Sequence, residues 1–288
     1  MKTLAIASAL ASWVPSAALA QSDSVKASRE PLFTMRDAAV AAAFVGGMVA
    51  AFPLDRQLAR SLRDSSKQAI EFAKNAADAL NWLGTPGTLV IGGLMYAGGR
   101  WVFKKPELAD LGLHGTEAVA AGLVATLSLK NFVGRGRPRV HEDDNYKDPF
   151  DFQFGRGFRD DDYRSFPSGH TTMGFAAAAA VTGESKRWWP KGYWLVAPVM
   201  YGGATLIGVA RMYTDNHWAS DVMGGAAIGS FAGWKVVRYH HTHPGNRIDR
   251  WLLSTSVRPD GYGGVAVIVD LAPLLDRRAD AEAHAHAR

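Results

Sequence analysis

The chain has 288 residues, 48% of them hydrophobic and 20% charged, a balance that excludes an intrinsically disordered chain and is enough to bury a full core. It contains no cysteine, which excludes disulfides, thiolate metal sites, iron–sulfur clusters and a cysteine nucleophile. The net charge of +5 and pI near 9.4 suit an anionic ligand or a membrane surface without selecting either.

The N-terminus has the three parts of a secretory signal: Lys2, an apolar run over 4–14, and Ala18-Leu19-Ala20 before Gln21. Ser8, Ser12, Pro15 and Ser16 keep that run below the roughly 20 apolar residues a membrane span needs. Residues 1–20 are therefore expected to be removed after Ala20, placing the protein in the periplasm or on the extracytoplasmic face of a membrane. That location, without cytosolic ATP, argues against a kinase.

Six apolar runs follow, at 38–54, 82–99, 118–129, 171–183, 192–210 and 222–234. Pro53 and Asp55 are expected to end the first, Lys104-Lys105-Pro106 follows the second, and Trp188-Trp189-Pro190 parts the fourth from the fifth. Strand-like alternation is scarce before residue 250, so the fold class is mainly α, a six-helix bundle. Three runs approach span length and three are short. The mean hydropathy of −0.07 favours a water-soluble bundle, so the choice between soluble and integral membrane stays open.

From residue 252 the pattern changes. A turn-rich stretch, Arg258-Pro259-Asp260-Gly261, separates 252–257 from the β-branched run 265–269 and predicts a short β-hairpin packed on the bundle. The expected division is thus a signal over 1–20, a helical catalytic domain over 21–245, and a hairpin and tail over 246–288. His240, His241, His243, His284 and His286 lie on polar stretches beside helix breakers and read as solvated surface groups; no metal site is expected.

Three segments carry residues suited to one dianionic ligand. The first, 130–138, offers Lys130 and Arg137 at the end of the third apolar run, an arrangement that also suits a helix C-terminus or nucleic acid. The second, 165–170, reads as a helix start. Pro167 fits a first turn, and Ser168, Gly169 and His170 present a hydroxyl and free amides to an anion. An ordinary capped helix has the same pattern. The third, 210–221, places His217 four residues before Asp221. With Asp215 or Asn216 as cap, both side chains share a helix face, and the carboxylate accepts the imidazole Nδ1–H. A surface helix pair has that spacing too.

Together these segments resemble the three ordered signatures of the type 2 phosphatidic acid phosphatase (PAP2) and vanadium haloperoxidase superfamily. Lys130, six residues, then Arg137-Pro138; Pro167-Ser168-Gly169-His170; and Arg211, five residues, His217, three residues, Asp221 stand in the family's order. The resemblance covers roughly residues 35 to 240. Ala210 departs from the family's usual serine and removes a hydroxyl.

The resemblance implies hydrolysis of a phosphate monoester or diphosphate, without metal or other cofactor, through a phosphohistidine. His217 would attack, Asp221 would orient it, and His170 would protonate the leaving oxygen and then activate water. Lys130, Arg137 and Arg211 would neutralise the phosphoryl oxygens, with Ser168 and the Gly169 amide completing the cradle. Activity is expected to rise and fall around pH 6 to 7. The partner is then a phosphorylated small molecule or lipid and not nucleic acid, with membrane association and oligomeric state open. The rivals are a vanadate-dependent haloperoxidase, disfavoured by the chain's length, and a non-catalytic anion-binding or membrane interaction protein. The acidic, phenylalanine-rich stretch 139–165 reads as a solvated rim to the site.

Overall fold

The computed structural model describes residues 33–63, 71–140, 148–243, 255–259 and 265–269; the expected signal lies outside them, and so does most of the expected tail. The described residues hold seven α-helices rather than six: α1 (Met35–Arg63), α2 (Glu71–Trp82), α3 (Thr88–Ala97), α4 (Pro106–Val133), α5 (Gly169–Trp188), α6 (Tyr193–Tyr213) and α7 (Ala219–Thr242). Two segments of the tail, β1 (Thr255–Pro259) and β2 (Val265–Val269), lie antiparallel with Thr255 opposite Val269.

The extra helix is α2, whose polar sequence shows no long apolar run; it passes through a π-turn at Leu83–Gly87 into α3. The first helix also runs past its expected stop. Pro53 sits inside α1, and Asp55 is fully buried, accepting the Ser220 N–H at 2.8 Å and the Arg135 guanidinium at 2.8 Å. A proline removes one helical hydrogen bond, whereas three tertiary bonds to one carboxylate hold the next turn in place.

Helix α5 is the centre of the bundle, packed against α4, α6 and α7. Its sequence is rich in alanine, and Ala176 and Ala180 join Ala118, Val119 and Met173 in the core. Small residues let the helices approach closely. A Cβ at Gly225 would lie 2.5 Å from the Ser168 carbonyl oxygen, and one at Gly233 would lie 2.6 Å from that of Ala176. Gly229, between them, meets the Thr172 carbonyl. The spacing of four puts all three on one face of α7, so its backbone lies directly on α5.

Large apolar side chains point outward. Trp194, Leu195, Val199 and Leu206 on α6 are exposed, as are Val45 and Val49 on α1 and Val124 and Phe132 on α4. Helices α1 and α6 are long and apolar enough to cross a membrane. The histidines near residue 240 are not surface groups as expected: His240 is buried and paired with Glu117, and His241 bonds Glu184, because α7 continues to Thr242 and carries them against α4 and α5.

Candidate functional site

The three signatures meet at one end of the bundle. Helix α4 stops at Gly134, whose φ of 59° is the left-handed conformation glycine adopts freely, with its N–H closing on the Lys130 carbonyl. Lys130 is therefore in the last turn, and the chain doubles back to present Arg135 and Arg137. Backbone bonds stitch the segments together: Ser165 N–H donates to the Arg135 carbonyl at 3.0 Å, and Ser168 N–H to the Asp221 carbonyl at 3.0 Å. The buried Trp218 indole ties the third to the first by donating to the Gly136 carbonyl at 2.9 Å.

Lys130, Arg137 and Arg211 are all buried here, against the strong preference of such groups for water. The Lys130 ammonium donates to the Arg164 carbonyl at 2.5 Å, and desolvation, with Arg137 adding repulsion, lowers its pKa to about 7. Arg137 bonds the Asp161 carbonyl and carboxylate and the Asn216 side chain. The buried Arg211 Nε has no protein hydrogen-bond partner.

His170 is half-buried in the first turn of α5, whereas His217 is fully enclosed just before α7. Burial first, then the charges of Arg211 and Lys130, lowers the His170 pKa to about 3. Burial and Lys130 likewise hold His217 well below the usual imidazole range. The same cations thus act on both rings, and both rings are neutral near pH 7.

Asp221 departs from the expected geometry in one respect. Helix α7 is capped by Trp218, not by Asp215 or Asn216, so His217 precedes the helix rather than sharing its face. Asp215 has a left-handed φ of 53°, which ends the turn that follows α6 and directs the chain inward. His217 Nδ1 is 3.8 Å from Asp221 Oδ2, beyond hydrogen-bond distance. Oδ2 instead accepts from the Ser165 hydroxyl at 2.6 Å and the Trp218 N–H at 2.8 Å. Arg135 takes Oδ1 at 2.5 Å and keeps the Asp221 carboxyl ionised.

The second signature also differs from expectation in detail. Pro167 stands before the cap residue Ser168 rather than inside the first turn. The Ser168 N–H is used by Asp221, and its hydroxyl accepts from Thr171 at 2.8 Å. The amides of Gly169 and His170, in the first turn, have no partner within their own helix. A methyl at Gly169 would lie 3.7 Å from Lys130 Cε, so these amides and the ammonium border the same space.

Sequence reasoning missed Arg135, Asp55, Ser165 and Ser220. Arg135 is completely buried between Asp55 and Asp221, with its Nε and Nη2 donating to the Pro149 carbonyl at 2.9 and 2.6 Å. The available signal was Asp55, a single acid after a long apolar run, which is stable in that position only with a buried partner.

Residues 113–244 match the PAP2 superfamily. Lipid A 1-phosphatase of Porphyromonas gingivalis is 36% identical over 72 residues, 24% of this chain and 15% of that protein. Undecaprenyl-diphosphatase of Sulfolobus acidocaldarius is 30% identical over 88 residues, 31% of this chain and 39% of that protein. The chain therefore spans well under half the length of either relative. The crystal structure of a transmembrane PAP2 type phosphatidylglycerolphosphate phosphatase from Bacillus subtilis shares the fold, with a TM-score of 0.51 at 19% identity over 74% of this chain and 96% of that one. The segment that holds all three signatures is thus the part of this chain that matches the PAP2 superfamily.

Proposed function

We propose that the protein is a membrane-associated phosphohydrolase acting on a phosphate monoester or diphosphate through a phosphohistidine. The observation that carries this reading is that backbone bonds from Ser165 to Arg135 and from Ser168 to Asp221, with the Trp218 indole on Gly136, draw the three signatures together, so that the charges of Lys130 and Arg211 bear on both His170 and His217. Such a site is unfavourable empty and favourable around a dianion.

In this mechanism the neutral His217 attacks phosphorus, and its bond forms as the ester oxygen leaves. His170, protonated once the dianion is bound, gives that oxygen a proton, then removes one from the water that cleaves the phosphohistidine. Lys130, Arg137, Arg211, the Ser168 hydroxyl and the Gly169 amide hold the equatorial oxygens. Asp221, whose Oδ2 lies 3.8 Å from His217 Nδ1, supports the developing imidazolium by its negative charge. The catalytic unit is assigned to residues 21–245, exported by a signal over 1–20.

A lipid-linked substrate is favoured by the exterior. A mostly apolar groove lined by Val49, Phe52, Pro53, Pro149 and Phe150, with Arg56 at its edge, lies beside Arg135, whose guanidinium is 4.8 Å from the Phe52 ring. The chemistry of the relatives named above, a lipid phosphatase and a diphosphatase, points the same way.

The test is phosphate release by purified protein with EDTA present, across lipid phosphates, isoprenoid diphosphates and short soluble esters. Release from the first two classes that disappears in His217→Ala is expected. Equal release by a well-folded His217→Ala protein removes the mechanism, and preference for soluble esters removes the lipid assignment.

A further inference from the structure

At the end of the bundle away from the phosphate pocket, the same three helices bring together a second set of chemical groups. His114 and Glu117 come from α4, Glu184 from α5, and His240 and His241 from α7. Glu184 is 14 residues beyond His170 on α5, about 21 Å along the helix, so the two clusters are separate.

We propose that His114, Glu184 and His241 form a binding site for a divalent transition metal of the zinc class. His114 Nδ1 is 2.6 Å and His241 Nε2 is 2.8 Å from the same oxygen, Glu184 Oε1. One ligand atom from each residue lies within 4.8 Å of the other two, and each comes from a different helix. Two imidazoles and a carboxylate are a common zinc set, with a fourth position for water. Binding requires the tautomers in which each ring carries its proton on the other nitrogen, so that His114 Nδ1 and His241 Nε2 present lone pairs to the ion.

Two further observations point to a ligand. Glu184 is completely buried, yet its second oxygen, Oε2, has no hydrogen-bond partner. Glu117 Oε1 is likewise buried and unpartnered, while Glu117 Oε2 engages His240. The His240 ring stacks on that of His114 with centroids 4.2 Å apart. This second pair would fix the orientation of a metal-bound His114, as outer groups do around metal ligands. A dication would also offset the charge of the fully buried Glu184 carboxylate and of the partly buried Glu117 beside it.

The experiment is Zn2+ binding to the full chain after metal stripping and removal of any affinity tag, read by equilibrium dialysis, with the visible spectrum of Co2+ reporting the ligands. One ion per chain is expected in the wild type, in His217→Ala, and in a variant with both His284 and His286 changed to Ala. Glu184→Gln and His241→Ala, the latter at the less buried of the two imidazole ligands, should lose at least the roughly 100-fold that removal of even an outer partner can cause. Melting temperature in EDTA checks that each variant folds. Absence of binding in the wild type overturns the proposal, as does wild-type affinity in both folded variants; the cluster would then be a hydrogen-bonded tie between helices.

Discussion

Arg135 and Asp221 form a completely buried ion pair, Nη1 to Oδ1 at 2.5 Å, and Arg135 reaches Asp55 with its other terminal nitrogen. One guanidinium therefore joins α1, the first signature and α7. The fork geometry allows this: five fixed donors serve two carboxylates, the Ser220 hydroxyl and the Pro149 carbonyl together.

Arg135→Ala should leave two carboxylates buried without their cation, costing on the order of 3–5 kcal/mol. Arg135→Lys should recover only part of that, because an ammonium cannot reproduce the fork. Denaturant unfolding of the two variants and the wild type gives the comparison, and an Arg135→Lys protein as stable as the wild type would remove the geometric argument.

His217→Ala should abolish phosphate release, and brief exposure of wild type to radiolabelled substrate should leave an acid-labile, base-stable label that His217→Ala lacks. Asp221→Asn should reduce turnover by about 10⁴-fold, the loss found when the carboxylate of a serine-protease triad is made an amide. It should also lower stability, since the amide NH₂ cannot accept from Ser165, Trp218 and Arg135 as the carboxylate does.

The pH profile should differ from the bell around pH 6 to 7 that unperturbed histidines imply. His217 is held well below its ordinary pKa, so the nucleophile stays neutral to lower pH than a free imidazole would. His170 at about 3 and Lys130 at about 7 are both lowered in the empty pocket, and a bound dianion favours their protonated forms. Phosphate binding is therefore accompanied by proton uptake, and competitive inhibition by inorganic phosphate should weaken as pH rises from 6 to 8. His170→Gln should flatten that slope. A slope unchanged by this substitution would mean that His170 takes up no proton.

Asp161 is exposed, and its carboxylate engages Arg137 at 3.1 Å on the pocket rim. Asp161→Asn should free part of that guanidinium and tighten phosphate inhibition by about 2- to 5-fold, in the range of an exposed ion pair. The effect should shrink in high salt, where screening already weakens the pair.

Gly229→Ala should destabilise the bundle by about 1–3 kcal/mol, because a methyl there meets the Thr172 carbonyl of α5 and forces the helices apart. Gly202→Ala, where a Cβ meets nothing within 4 Å, should be neutral or slightly stabilising. Thermal unfolding of the two variants separates close packing from helix propensity.

Local chemistry was sufficient to read the helical class, the Trp188-Trp189-Pro190 break and the residues of the three signatures. These depend on apolar runs, helix breakers and residue type at fixed spacing, all of which act over a few residues. Spacing could not show that His217 precedes its helix, since the cap at Trp218 is set by its indole reaching Gly136 and by Asp221 turning back to its N–H. It also could not show that α1 continues through Pro53, or that His240 is buried. Those outcomes depend on hydrogen bonds and ion pairs between residues 80 to 165 positions apart, such as Arg135 with Asp55 and Asp55 with Ser220. A buried charge is stabilised only by its partner, and which partner it meets is decided when the helices pack.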